Sequence, residues 1–171
     1  ASLLGIVPLA KKLLAKEDWK GGSHEPENER CLFGRTPLMY AAGNGHGELV
    51  LLLLDGKGDV NAKDDSGWTA LHCAAMSGHK AVVQQLLENQ GDVNAKDNTG
   101  WTALHWATMN GYKTVVQQLL DNQGDVNAKD NTGCTALHQA ANTGHRAIAQ
   151  QLLDNKADIH AKNKAGLTAI V

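Results

Sequence analysis

Apolar and polar positions fall along this chain in two kinds of short block that recur in a fixed order. The first block is small and apolar. Ala70, Leu71, Ala74 and Ala75 follow Thr69, and Ser77-Gly78 closes the run. Thr69 is a good N-cap, and at the equivalent Thr36 the next residue is Pro37, suited to a first helical position whose N–H has no intrahelical partner. A short inner helix is predicted there. The second block places Val82, Val83, Leu86 and Leu87 on one stripe and Lys80, Gln84, Gln85 and Glu88 opposite, which predicts an outer helix from about Lys80 with a polar, solvated back. Asp97-Asn98-Thr99-Gly100 then puts Asp first and Gly fourth in a type I turn, predicting a projecting hairpin-like loop.

The whole arrangement returns at intervals of about 33 residues, with Gly34, Gly67, Gly100, Gly133 and Gly166 opening successive units. No unit can bury its apolar face alone, so stacking must complete the core. The units carry Thr-Pro-Leu-Met at 36–39, Thr-Ala-Leu-His from Thr69, Thr102 and Thr135, and Asp-Val-Asn-Ala from Asp59, Asp92 and Asp125. In these residues the chain resembles the ankyrin repeat family. The resemblance implies an all-α solenoid of four full repeats at 34–66, 67–99, 100–132 and 133–165. A divergent capping helix and exposed loop at 1–33 precede them, and the start of a further, truncated repeat at 166–171 follows. It also implies that His72, His105 and His138 bond the threonine of their own tetrapeptide and tie neighbouring turns together, a link missing where Met39 replaces the histidine. One departure concerns helix ends. The family's usual glycine after the second helix is here Lys57, Gln90, Gln123 or Lys156, which suggests that Gly56, Asn89, Asn122 or Asn155 takes the left-handed conformation instead.

Residues 1–33 lack the consensus, although Ile6, Val7, Ala10, Leu13 and Leu14 form a helical stripe. The stretch from Gly21 to Arg30 reads as an exposed loop. With 171 residues, 42% of them hydrophobic, and a net charge of −2, the chain has material for a substantial core and no excess charge that would advertise nucleic acid. Three cysteines, Cys31, Cys73 and Cys134, are an odd number, and the last two fall in different repeats; reduced thiols and an intracellular, cytoplasmic setting are expected. The run from Leu3 to Leu9 is too short to span a bilayer.

Four tempting chemical signals fail on geometry. Gly43-Asn44-Gly45-His46-Gly47 lacks the strand and the Gly-Lys-Ser/Thr of a phosphate loop. The recurrent histidines, including His46, His79 and His145, sit on helices about 8–10 Å apart, too far to share a zinc. The Asp-Val-Asn-Ala-Lys-Asp runs miss the calcium-loop spacing. Lys63, Lys96, Lys129 and Lys162 are each followed by Asp64, Asp97, Asp130 or Asn163, a mixed-charge solvated edge rather than a phosphate track. Neither metal, cofactor nor catalysis is expected.

What varies while the scaffold repeats is the column Arg35, Trp68, Trp101, Cys134, Leu167, a second column Gly43, Met76, Met109, Asn142, and loop tips including Asp65, Asn98 and Asn131. By the resemblance these lie on the concave face and its rim. Trp68, Trp101, Met76 and Met109 would supply an apolar, aromatic patch of the kind enriched at interfaces; the same rings would also serve to cover the seam between repeats, and the sequence leaves both roles open. The expected function is a monomeric module that binds another protein, with no membrane or nucleic-acid partner. The second reading is a scaffold or regulatory segment of a larger signalling protein or enzyme.

Overall fold

The computed structural model describes residues 32–169. The expected capping unit over 1–33, with Cys31 and the loop at 21–30, lies outside them apart from its last two residues. A 3-10 turn at Leu32–Gly34 precedes eight α-helices: α1 Pro37–Gly43, α2 Gly47–Asp55, α3 Ala70–Ser77, α4 Lys80–Glu88, α5 Ala103–Met109, α6 Lys113–Asp121, α7 Ala136–Thr143 and α8 Arg146–Asp154. Odd-numbered helices pack on one another as an inner layer, even-numbered helices form an outer layer, and each inner helix also packs against the outer helix that follows it.

The inner helices begin where the threonines predict. Thr69, Thr102 and Thr135 are extended, and each hydroxyl accepts from the backbone N–H three residues on, while the histidine there returns a ring nitrogen to the threonine N–H. This is a capping box with histidine in place of the usual glutamate. His72 Nδ1 lies 3.1 Å from Thr69 N, and its Nε2 lies 3.1 Å from the carbonyl of Trp101 in the next repeat. His105 and His138 repeat the pattern toward Cys134 and Leu167. Met39 offers Thr36 N only a sulfur at 3.5 Å. A thioether has no proton to send onward, so among the described residues the cross-repeat half of the link starts one repeat later.

The helix ends correct one expectation. Left-handed φ values belong to Lys57, Gln90, Gln123 and Lys156, between 66° and 68°, whereas Gly56, Asn89, Asn122 and Asn155 keep negative φ. The reason is the pair of closing bonds. Gln90 N donates to Leu87 O and Gly91 N to Leu86 O, a Schellman motif that requires the left-handed residue one place beyond the C-cap. Its strain, about 1 kcal/mol for a residue with a Cβ, is offset by these two bonds. Gly91 suits the tight closure, since a Cβ there would stand 2.8 Å from Leu86 O; in the last repeat Ala157 makes the same closing bond at a longer 3.0 Å.

Alanines let the inner helices close on one another, and Leu38, Leu71, Leu104 and Leu137 between the layers are 2% exposed or less. Val82, Val83 and Leu86 of α4 are buried as the stripe predicts, with Leu87 packed partly buried against them. The expected wet back is narrower than predicted. Gln84, Gln85, Gln117 and Gln118 are half-buried and Gln151 is buried. Gln151 Nε2 donates to Gln117 Oε1 at 2.7 Å and to Lys113 O, and Gln118 reaches Gln84 and Lys80 O in the same way. The glutamines therefore bridge outer helices, because a long amide can follow the seam and end on a carbonyl of the neighbouring first turn.

The edge of hairpins also departs from expectation. Asp64, Asp97 and Asp130 are buried rather than solvated, and the lysines before them donate along the stack, Lys63 Nζ to Lys96 O, Lys96 Nζ to Lys129 O and Lys129 Nζ to Lys162 O, at 2.7–3.2 Å. Asn61, Asn94 and Asn127 form a second ladder, each accepting from an aspartate N–H of the next repeat and donating to a carbonyl there.

Two outcomes follow from this packing. Leu104→Ala should cost about 2–5 kcal/mol, whereas Lys113→Ala, at an exposed position, should change stability by less than about 0.5 kcal/mol; equal shifts of the urea midpoint would overturn the layer assignment. Burial, the largest influence, holds His72 and His105 below their ordinary pKa against the opposing pull of their carbonyl partners. Their folded values lie below their unfolded ones, so the stability they contribute is present above about pH 6.5 and lost as pH falls below it, when the unfolded chain takes up protons first. Urea midpoints should drop between pH 7.5 and 5.5, and His105→Gln should shrink that drop; an unchanged pH slope would refute the role.

Candidate functional site

Each hairpin is built around its aspartate. Asp97 Oδ1 accepts from the N–H groups of Thr99 and Trp101 and from the Thr99 hydroxyl, and the turn closes through Gly100 N to Asp97 O. Asp130 does the same for its own turn, and Asp64 accepts the two corresponding N–H groups, of Ser66 and Trp68, without a hydroxyl. Oδ1 is thereby used up locally, and Oδ2 is left to accept from a repeat. Arg35 Nε reaches Asp64 Oδ2 at 3.1 Å, Trp101 Nε1 reaches Asp130 Oδ2 at 3.0 Å, and Trp106 Nε1 reaches Asp97 Oδ2 at 3.1 Å. Burial alone would raise the Asp130 carboxyl, but the Thr132 hydroxyl, the N–H groups of Cys134 and Thr132 and the Trp101 indole together bring it below its ordinary range. The carboxylate stays charged.

These bonds line up the aromatic rings. Trp68 and Trp106 have centroids 4.7 Å apart and Trp106 and Trp101 4.5 Å apart, both pairs tilted at 54°. The Arg35 guanidinium carbon lies 5.6 Å from the Trp68 centroid, within cation–π range. The result is a continuous row, Arg35, Trp68, Trp106, Trp101, drawn from three repeats. All three tryptophans are half-buried, one part of each ring covering the seam and the other left to solvent.

Trp106 is absent from the sequence-derived set. It occupies the place of Tyr40, Cys73 and Gln139 in the other repeats, five residues after Trp101, so column-by-column reading does not join it to the tryptophans of another column. The available signal was its singularity: three of the chain's four tryptophans fall within Trp68 to Trp106. Cys73 in that place is buried, and burial raises its thiol to about 11, so it presents no thiolate.

The other predicted residues are placed as follows. Met76 is half-buried and Met109 is 41% exposed. Asp65, Asn98 and Asn131 are exposed at the tips, but the tips are tied together: Asn98 Nδ2 donates to Asp65 O and Asn131 Nδ2 to Asn98 O, both at 2.9 Å. Their amides serve the scaffold first. Cys134 and Asn142 do not join the row; with His138, Asn163 and Leu167 they line an open cleft of about 390 Å³. Gly43 gives its carbonyl to His79 Nε2.

Among the described residues no cluster of His, Cys, Asp or Glu is placed to hold a metal ion, and no helix is long and apolar enough to cross a membrane. Compared with known families, the chain matches the sequence model described as ankyrin repeats (3 copies) over residues 1–97 and 82–163. No curated protein matches it.

The row makes a specific demand on stability. Trp101→Phe removes the donor to the Asp130 carboxylate while keeping an aromatic ring and should cost about 1 kcal/mol. Trp68→Phe removes an N–H that has no acceptor among the described residues and should cost less than about 0.5 kcal/mol. Thermal melts of the two variants decide; equal losses would show that the hydrogen bond to Asp130 does not set the order.

Proposed function

The chain belongs to the ankyrin repeat family, and on that premise we propose that it binds a partner protein through the Arg35, Trp68, Trp106, Trp101 row, with Met76 and Met109 extending the apolar surface. Ankyrin repeats are generally protein–protein interaction modules and are typically non-catalytic. The observation that carries the finer reading is the half-exposure of three indoles stacked in a row through Trp106, with an exposed methionine three residues further along the same helix. A folded chain gains more by burying tryptophan fully, and aromatic and methionine side chains left in one contiguous surface are what interface centres are made of. The rings are also rigid: two are anchored through their N–H groups to buried carboxylates, so a partner loses little side-chain entropy in covering them. The concave face of the stack is the surface to which the row is assigned, and the tips at Asp65, Asn98 and Asn131 form its polar rim. The closer packing of the inner helices supports that assignment.

Trp68→Ala tests the reading with the least damage to the scaffold, since it breaks no side-chain hydrogen bond among the described residues. A partner captured with the wild-type chain should lose about 2 kcal/mol or more of affinity for Trp68→Ala and under about 1 kcal/mol for Asn131→Ala, measured by calorimetry on proteins with native circular dichroism. Full-strength binding to folded Trp68→Ala would move the contact elsewhere.

A further inference from the structure

The row ends in donors that have no acceptor among the described residues. Arg35 spends only Nε on Asp64, and neither of its terminal nitrogens has a hydrogen-bond partner among the described residues. The indole N–H of Trp68 is in the same position, for a traceable reason. Trp101 donates to the carboxylate 29 residues ahead, Asp130, and the corresponding acceptor for Trp68 is Asp97. Trp106 Nε1 holds the Asp97 Oδ2 instead. The ring that completes the row thus releases its neighbour's N–H.

We propose, building on the binding reading above, that this end of the row is a carboxylate-recognition point: the partner presents an Asp or Glu side chain, or a chain terminus, to Arg35 and Trp68, and an apolar side chain to Trp106, Trp101 and Met109. The grounds are charge and desolvation. Any partner that covers Trp68 also takes water from the guanidinium stacked against it, and a cation stripped of water must be repaid by an anion or by well-placed acceptors. Asp64 cannot supply this alone, because its Oδ1 is committed to the N–H groups of Ser66 and Trp68 and its Oδ2 to Arg35 Nε. A carboxylate matches the fork of the two terminal nitrogens in plane and charge. One group opposes it: Asp65 is exposed at the adjacent tip, and its charge repels an incoming anion.

The test uses the full chain and a phage library of random dodecapeptides. Selected peptides should be enriched in Asp or Glu a few residues from a large apolar side chain. Resynthesised with each acid replaced by its amide, they should bind the wild-type chain about tenfold more weakly, and the same change should have little effect on binding to Arg35→Gln. Arg35→Gln leaves Asp64 without its cation, so two further variants guard the result: Trp68→Phe, which keeps the ring, should weaken the acidic peptides about threefold, and Asp65→Asn should strengthen them about twofold. Selection without acid enrichment, amide peptides that bind as well as their parents, or an empty selection overturns the inference. Peptides without acid dependence that are nevertheless lost on Trp68→Ala overturn it while leaving the binding surface in place. Peptides indifferent to both Arg35→Gln and Trp68→Ala overturn both.

Discussion

A carboxylate withdrawn from water at each hairpin sets the terms on which neighbouring repeats meet. Burying a charge is tolerable only when its oxygens are saturated, and local turn geometry saturates one oxygen of Asp64, Asp97 or Asp130 and no more. The other must be served from outside the turn. Arg35 and Trp101 meet that need from the place just after the opening glycine, and Trp106 meets it from within α5. At the fourth hairpin the place just after the opening glycine holds Cys134, which has no strong donor, and the hairpin residue is Asn163, whose amide now donates to the Cys134 sulfur at 3.5 Å. Donor and acceptor have exchanged sides, and the charge has gone with them.

The remaining contacts obey the same nearest-neighbour rule. Histidine Nε2, lysine Nζ, asparagine amide and glutamine amide each end on a backbone carbonyl of an adjacent repeat. The core is likewise shared, since the buried leucines of the inner helices belong to one cluster that runs through successive repeats. Stability is then carried by interfaces as much as by units, and a polar side chain at a seam is worth most where its partner is a main-chain group that no substitution can remove.

Much of this was legible in the sequence because one signal was repeated. The threonine caps, the apolar stripes and the turn at Asp97 to Gly100 each follow from local rules, and successive copies confirmed one another. What was not legible depends on the third dimension. Asp97 and Lys96 look like a solvated pair, because residues adjacent in the chain give no hint that one turns inward to its own turn while the other reaches a carbonyl 33 residues away. Gln117 looks like the back of an amphipathic helix until the neighbouring helix arrives with Gln151. The left-handed Gln90 was missed because residue preference favours Asn, whereas the two closing bonds fix the position regardless of what stands there. Of the site, the columns gave Arg35, Trp68 and Trp101, but the row they form is joined by Trp106, which belongs to no column of aromatics.

The near-identity of the repeats at 67–99 and 100–132 brings a hazard of its own. Their caps, stripes, ladders and turns are interchangeable, so a folding chain that docked one copy in the other's berth would satisfy almost every one of these bonds while slipping by a whole unit, the kind of misassembly to which tandem arrays are prone. The difference between Cys73 and Trp106 is then a register mark. The indole at 106 lies between Trp68 and Trp101 and serves Asp97 at once, and a slipped copy with cysteine in that place would leave the row broken.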